Sequence, residues 1–221
     1  EKVVFIKNCP ECNAPLIRYP GEAAHYCPNE NGCPPQIKGK IEHFVSRKAM
    51  NIEGLGEETI NLLYENGLLK NVADIYTLKI SDLVTLERLG LKSASNLINS
   101  IEKSKEVPFE RVLFALGIRF VGETVAKKLA YAFKSIEALQ QAEYEDLIQV
   151  EEIGDKIAQS VRQYFSDPKN LEIINRLKAA GVQMAINEDA SKRKGNELEG
   201  KSIVISGTFK YGDHEKYKNL F

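Results

Sequence analysis

Four glycines recur along the chain at nearly even spacing, and each of them closes the same short pattern. Gly56, Gly90, Gly122 and Gly154 lie 34, 32 and 32 residues apart. In every copy, two apolar residues separated by two variable positions precede the glycine, and a stretch with helical apolar periodicity follows it. The repeat therefore predicts a mainly α-helical fold in which short glycine-containing hairpins join pairs of helices.

A helix-hairpin-helix repeat of this kind predicts contact with nucleic-acid phosphates. The first turn of a helix has unpaired N–H groups and the positive end of the helix dipole, so an anion binds there. We expect the glycine to adopt a positive φ and to keep side chains out of the way. Such contacts hold the backbone without reading the bases. Repeats near 34 residues also form protein-binding helical scaffolds, which remain an alternative.

The residues around each hairpin indicate which copies would bind DNA most firmly. Only the first hairpin has a second glycine, Gly54, and Arg88, Phe120 and Glu152 occupy that position in the others. Acidic residues follow the first and fourth hairpins, whereas residues 88–132 hold eight Lys or Arg against four Glu. We therefore expect the second and third hairpins to bind most firmly. The candidate DNA-binding residues are Gly54, Gly56, Arg88, Gly90, Lys92, Ser93, Arg119, Gly122, Thr124, Gly154 and Lys156.

All four cysteines lie near the start of the chain, at Cys9, Cys12, Cys27 and Cys33. Four thiolates at such spacing suit a tetrahedral structural zinc site without a vacancy. Two disulfides are the alternative, but nothing indicates secretion, and reducing compartments disfavour them. His25 is not needed as a ligand and is expected at the surface. Because so short a segment buries little apolar surface, we expect the metal to fold it.

Composition and local patterns divide the rest of the chain. With 221 residues, 43% of them hydrophobic, the chain suits a soluble globular protein of more than one domain. No apolar run is long enough to span a membrane, and no secretion signal is evident. No catalytic or cofactor-binding residues are assigned, because no such constellation is present. We predict a zinc finger over 1–40, a four-hairpin domain over 41–186, a polar linker over 187–197 and a truncated module over 198–221.

The order of these parts resembles the carboxy-terminal half of the bacterial NAD-dependent DNA ligases. Leu86–Gly90 and Ala115–Arg119 are similar to stretches of that family, and Leu198–Thr208 resembles the first strand of a BRCT domain. The resemblance implies that the cysteines bind zinc and that the hairpins clamp nicked duplex DNA through its minor groove. It also implies a bacterial, cytoplasmic and nucleoid-associated enzyme that seals nicks during replication and repair with NAD and magnesium.

The resemblance also implies which part of the enzyme the chain lacks. The family's adenylated lysine lies in a Lys-x-Asp-Gly motif of an earlier domain, and this chain contains no Asp-Gly pair. We therefore expect the chain to bind DNA and not to ligate it alone, with no membrane or small-molecule partner. One alternative is a hairpin module of another DNA repair or junction-binding protein. The other is a zinc-braced helical scaffold that binds a protein.

Overall fold

Helices begin directly after the four hairpin glycines, as the repeat predicts. The computed structural model describes residues 5–87 and 89–187. Its architecture is mainly helical, which confirms the predicted fold class, while the predicted BRCT strand lies outside the described residues. The described residues contain α1 (Pro34–Val45), α2 (Glu57–Glu65), a 3₁₀ helix (Val72–Thr77), α3 (Ile80–Leu83), α4 (Leu91–Ser104), α5 (Phe109–Ala115), α6 (Glu123–Phe133), α7 (Ile136–Gln141), α8 (Tyr144–Ile148), α9 (Asp155–Ser166) and α10 (Pro168–Ala179).

The cysteine-containing segment before α1 consists of turns held by isolated antiparallel bridges. Asn8 pairs with Pro15, and Ile17 pairs with Tyr26. Strand pairing among the described residues of this segment is limited to these two bridges, since tight turns separate them. Cys33 is the N-cap of α1, and Pro34 starts the helix, because its fixed φ suits the first helical position.

The helices pack their apolar stripes into one core. Ile41 and Phe44 of α1 are completely buried, as are Leu113 of α5 and Leu129 of α6. The residues up to Ile186 belong to one compact unit. The extended residues 184–186 pair back onto the connection from α6 to α7, where the Ile136 N–H donates to Met184 O at 2.8 Å and the Ile186 N–H donates to Lys134 O at 2.7 Å. The four hairpins are therefore held on a common body.

The four repeat glycines do not adopt the positive φ that we expected of them. Their φ angles are −79°, −75°, −78° and −90°, which are extended N-cap conformations open to any residue. The positive φ falls two positions earlier, at Gly54 (+89°), Phe120 (+65°) and Glu152 (+66°). At the last two, a turn is closed by a hydrogen bond from Val121 or Ile153 to the carbonyl three residues before. In a type II turn, the third residue has a positive φ. That third residue lies two positions before the repeat glycine, which explains why the positive φ falls there and not on the glycine itself.

Replacing Glu152 with Gly is expected to stabilise the protein. A left-handed non-glycine residue costs about 1–2 kcal/mol, and an exposed ion pair contributes about 0–1 kcal/mol. Glu152 pairs with Lys128 at 3.0 Å, but Glu151 also pairs with that ammonium at 3.1 Å, so the loss is partly compensated. We expect a Tm increase of about 2 °C, measured by calorimetry.

Glu151→Gly is the matched control for this substitution. It removes the same charge and a bond to the same Lys128, but Glu151 is not among the residues with positive φ. Glycine there only adds conformational freedom to the unfolded chain, so this control is expected to destabilise. Equal effects from the two substitutions would contradict the assignment of strain to Glu152.

Candidate zinc centre and phosphate-binding hairpins

The four cysteine sulfurs converge on one point. Sγ of Cys9 lies 3.8 Å from that of Cys33, and Sγ of Cys12 lies 3.4 Å from that of Cys27. All four atoms lie within 4.8 Å of one another. Zinc–sulfur bonds of about 2.3 Å in a tetrahedron place the sulfurs about 3.8 Å apart. The cluster therefore fits a structural zinc ion, as the spacing predicts.

The surroundings of Cys12 and Cys33 shift the pKa values of these two thiols in opposite directions. The pKa of Cys12 is lowered to about 6, first because the Ala14 backbone N–H stabilises its thiolate and further through Asn29. Burial raises the pKa of the Cys33 thiol to about 12. A buried thiolate of this kind needs a compensating positive charge, which zinc supplies. His25 is exposed, as expected, and stacks on Phe5 with the ring centroids 5.2 Å apart.

Each repeat glycine caps a helix whose amino terminus is open. Among the residues that the structure describes, no side chain caps α2, α4, α6 or α9. A Cβ added at Gly56, Gly90, Gly122 or Gly154 would meet no atom within 4 Å. Neither φ nor packing within the described residues therefore calls for glycine at these four positions. What glycine does provide is unhindered access to the amide groups of the first helical turn.

The other candidate residues occupy different surroundings. Lys92, Ser93, Thr124 and Lys156 are exposed in the first turns of their helices. Gly54 lies in the first hairpin turn, where an added Cβ would be 3.7 Å from Leu97. Arg88 lies outside the described residues.

Several basic residues of the 88–132 stretch contact other parts of the protein. Lys128 pairs with Glu151 and Glu152, and Arg111 donates to the Arg47 and Lys48 carbonyls. Arg119 points toward the cysteine segment, where it pairs with Glu22 at 2.8 Å. This basic stretch is therefore less available to a phosphate than its composition indicates.

Two serines fix the hairpins in pairs, which sequence reasoning missed. Ser100 Oγ of α4 accepts from the Glu53 N–H of the first hairpin at 2.7 Å. Ser160 Oγ of α9 donates to Arg119 O of the third hairpin, also at 2.7 Å. The helix after the second hairpin thus holds the turn of the first hairpin, and the helix after the fourth hairpin holds the turn of the third. Because these partners lie 47 and 41 residues apart, no local pattern indicates the contact.

Comparisons with known families agree with this arrangement. Residues 8–34 match the NAD-dependent DNA ligase C4 zinc finger domain. Residues 46–103 match the SAM-like helix-hairpin-helix tandem, and residues 111–174 match the helix-hairpin-helix motif. Proteins named DNA ligase match essentially the whole chain. Over its whole length, the chain is similar to a part of the NAD-dependent DNA ligases. The resemblance inferred from the sequence is therefore confirmed.

The relatives are longer than this chain. The DNA ligase of Phocaeicola vulgatus is 60% identical over 220 residues, and that of Parabacteroides distasonis is 61% identical over 220 residues. Both alignments cover 100% of this chain but 33% of the relative. The DNA ligase of Flavobacterium johnsoniae is 55% identical over 218 residues, which are 99% of this chain and 33% of that protein. The chain therefore spans about a third of the length of these relatives.

The helices of this chain pack into one core. None in the described part combines the length and apolar character that crossing a membrane requires.

Proposed function

We propose that this chain is the DNA-binding part of an NAD-dependent DNA ligase. The observation that carries the proposal is the set of four uncapped helix amino termini, each behind a glycine that neither φ nor packing requires. Phosphate groups approach such termini closely and bind the amide groups and the positive dipole end. The proposed contacts are Gly54, Gly56, Arg88, Gly90, Lys92, Ser93, Gly122, Thr124, Gly154 and Lys156, and Cys9, Cys12, Cys27 and Cys33 are the proposed zinc ligands.

The hairpins differ in how strongly we expect them to bind. The first turn of α2 begins with Glu57 and Glu58, which repel phosphate. The first turn of α4 has no acidic residue and carries Lys92. We therefore propose that Gly90 marks the strongest site, and that contacts to both strands hold the duplex while a catalytic domain acts on a nick.

The whole protein is proposed to seal nicks in duplex DNA during replication and repair. Support comes from the relatives named DNA ligase and from the zinc finger match. NAD and magnesium would act in a part of the protein outside this chain, which has no Lys-x-Asp-Gly motif, so the chain alone is proposed to be inactive. A cytoplasmic, nucleoid-associated location follows from the same proposal.

Salt-dependent binding of nicked duplex tests this function. We expect the zinc-loaded chain to bind nicked and intact duplexes of any sequence, because its contacts are to phosphates. The logarithm of affinity should fall against the logarithm of salt concentration with a slope of roughly −0.9 per phosphate contact. Fluorescence anisotropy at several salt concentrations measures both quantities. A folded, zinc-loaded sample that binds neither duplex at low salt would contradict the proposal and favour the protein-binding scaffold.

A further inference from the structure

Arg119 joins the zinc finger to the third hairpin. Its guanidinium donates from Nη2 to both carboxylate oxygens of Glu22, at 2.8 and 3.0 Å. The same group lies 4.1 Å from the ring centroid of Tyr19 and 5.2 Å from that of Tyr26. Phe120 covers it from the hairpin side, with 4.7 Å between the guanidinium carbon and the ring centroid. We call Arg119, Tyr19, Glu22, Tyr26 and Phe120 the Arg119 cluster.

The cluster is more than an exposed ion pair. Glu22 is only 28% exposed and Arg119 39% exposed, so water screens the pair less than it screens most surface pairs. Aromatic rings surround the planar guanidinium, which lysine could not match in shape. On the hairpin side, Ser160 Oγ donates to the Arg119 carbonyl and fixes the backbone at this residue. Both ends of Arg119 are therefore held.

A second connection reaches the same hairpin from the zinc finger. Cys33 is the N-cap of α1, and His43 near the end of that helix is hydrogen-bonded to Phe114 O at 2.8 Å. The His43 and Phe114 rings also meet edge to face, with centroids 4.7 Å apart. The cysteine segment and α1 thus contact the third hairpin at two places, at α5 before the turn and at Arg119 within the turn.

We propose that Arg119 is a positioning residue through which the folded zinc finger fixes the third hairpin. The turn that contains Arg119 and Phe120 leads directly to Gly122 and the amide groups of α6. Holding this turn against the zinc finger keeps those amides in one orientation. The consequence for DNA affinity rests on the proposed DNA-binding function. Under that function, zinc occupancy controls the phosphate site of the third hairpin.

The direction in which a single substitution changes the DNA affinity distinguishes this positioning role from direct phosphate contact. Glu22→Gln weakens the hold on Arg119 and makes the protein one charge more positive. If Arg119 contacts phosphate directly, freeing it raises DNA affinity. If Arg119 positions the turn, affinity falls about three- to tenfold despite the added positive charge, because the ordered site is lost. Glu137→Gln is the matched control, since it makes the same charge change and breaks the Lys178–Glu137 ion pair between α7 and α10.

Amide hydrogen exchange tests the positioning without DNA. In the zinc-loaded full chain, we expect amides 118–125 to exchange roughly fivefold faster in Glu22→Gln, with those of α10 unchanged. Arg119→Lys keeps the charge but loses the planar stacking, and it should give the same result with zinc content unaltered. Arg119→Lys decides the matter if Glu22→Gln disturbs the zinc finger itself.

Two results would overturn the proposal. One is an amide exchange rate at residues 118–125 that is the same in Arg119→Lys as in wild type. The other is a DNA affinity of Glu22→Gln that rises to the affinity of Glu137→Gln. If the wild-type chain does not bind nicked duplex, the proposed function fails, but the exchange measurement still tests whether Arg119 orders the turn.

Discussion

Replacing Cys12 with Ser is expected to unfold the segment from residue 5 to about residue 38. Of the described residues before α1, only Cys9 and Cys33 are buried, so little apolar surface holds the segment together. Structural zinc supplies roughly 10–16 kcal/mol to the folding of small zinc-finger peptides. Cys12 is one of the four converging cysteines, so the substitution removes one of the four sulfurs that the tetrahedral site requires.

The effect is measured by zinc content and by limited proteolysis before residue 38. Helical circular dichroism should largely persist, because the core around Phe44, Leu113 and Leu129 does not include the metal. Glu11→Gln changes an exposed residue of the same turn and serves as the control that keeps zinc. A Cys12→Ser protein without zinc that resists the protease like wild type would disprove the folding role of the metal.

Replacing Gly90 with Asp is expected to weaken DNA binding while the fold becomes slightly more stable. The φ of −75° and ψ of 164° at Gly90 suit an aspartate N-cap, which would accept from the amides of α4. A carboxylate there occupies the proposed phosphate site and repels the incoming group. We expect affinity to fall about tenfold or more, which corresponds to about 1.4 kcal/mol. The free energy of unfolding should rise by a few tenths of a kcal/mol.

The test is specific because the DNA affinity is expected to fall while the free energy of unfolding is expected to rise. A substitution that merely damages the domain lowers stability and binding together. Gly39→Asp is the matched control, because it makes the same change at an exposed glycine of α1 with open space around it. Gly90→Asn caps the helix without the charge and should weaken binding less than Asp does. Undiminished DNA binding by a folded Gly90→Asp protein would exclude the α4 terminus as a phosphate site.

The helical elements were largely predictable because their signals are local. The repeat predicts a helix after each glycine, and α6 and α9 begin at Glu123 and Asp155, directly after Gly122 and Gly154. Burial along α6 is less readily inferred from a local pattern, since Ala132 is exposed while Ala126 and Ala130 are buried. Near the end of a helix, the neighbouring element decides which side of the stripe is covered.

By itself, the amino-acid sequence determined the cysteine cluster, the hairpin repeat and the resemblance to the ligases. Each of these is recognised from spacings of a few to some thirty residues between positions along the chain. Only the tertiary structure decided how the basic residues are used. Arg119 and Glu22 lie 97 residues apart, and their contact arises from packing the zinc finger on the third hairpin. It also decided that the left-handed residue precedes the repeat glycine by two positions, since a φ angle depends on the closed turn. Charge composition is a local property, whereas the availability of a charge depends on what the fold places beside it.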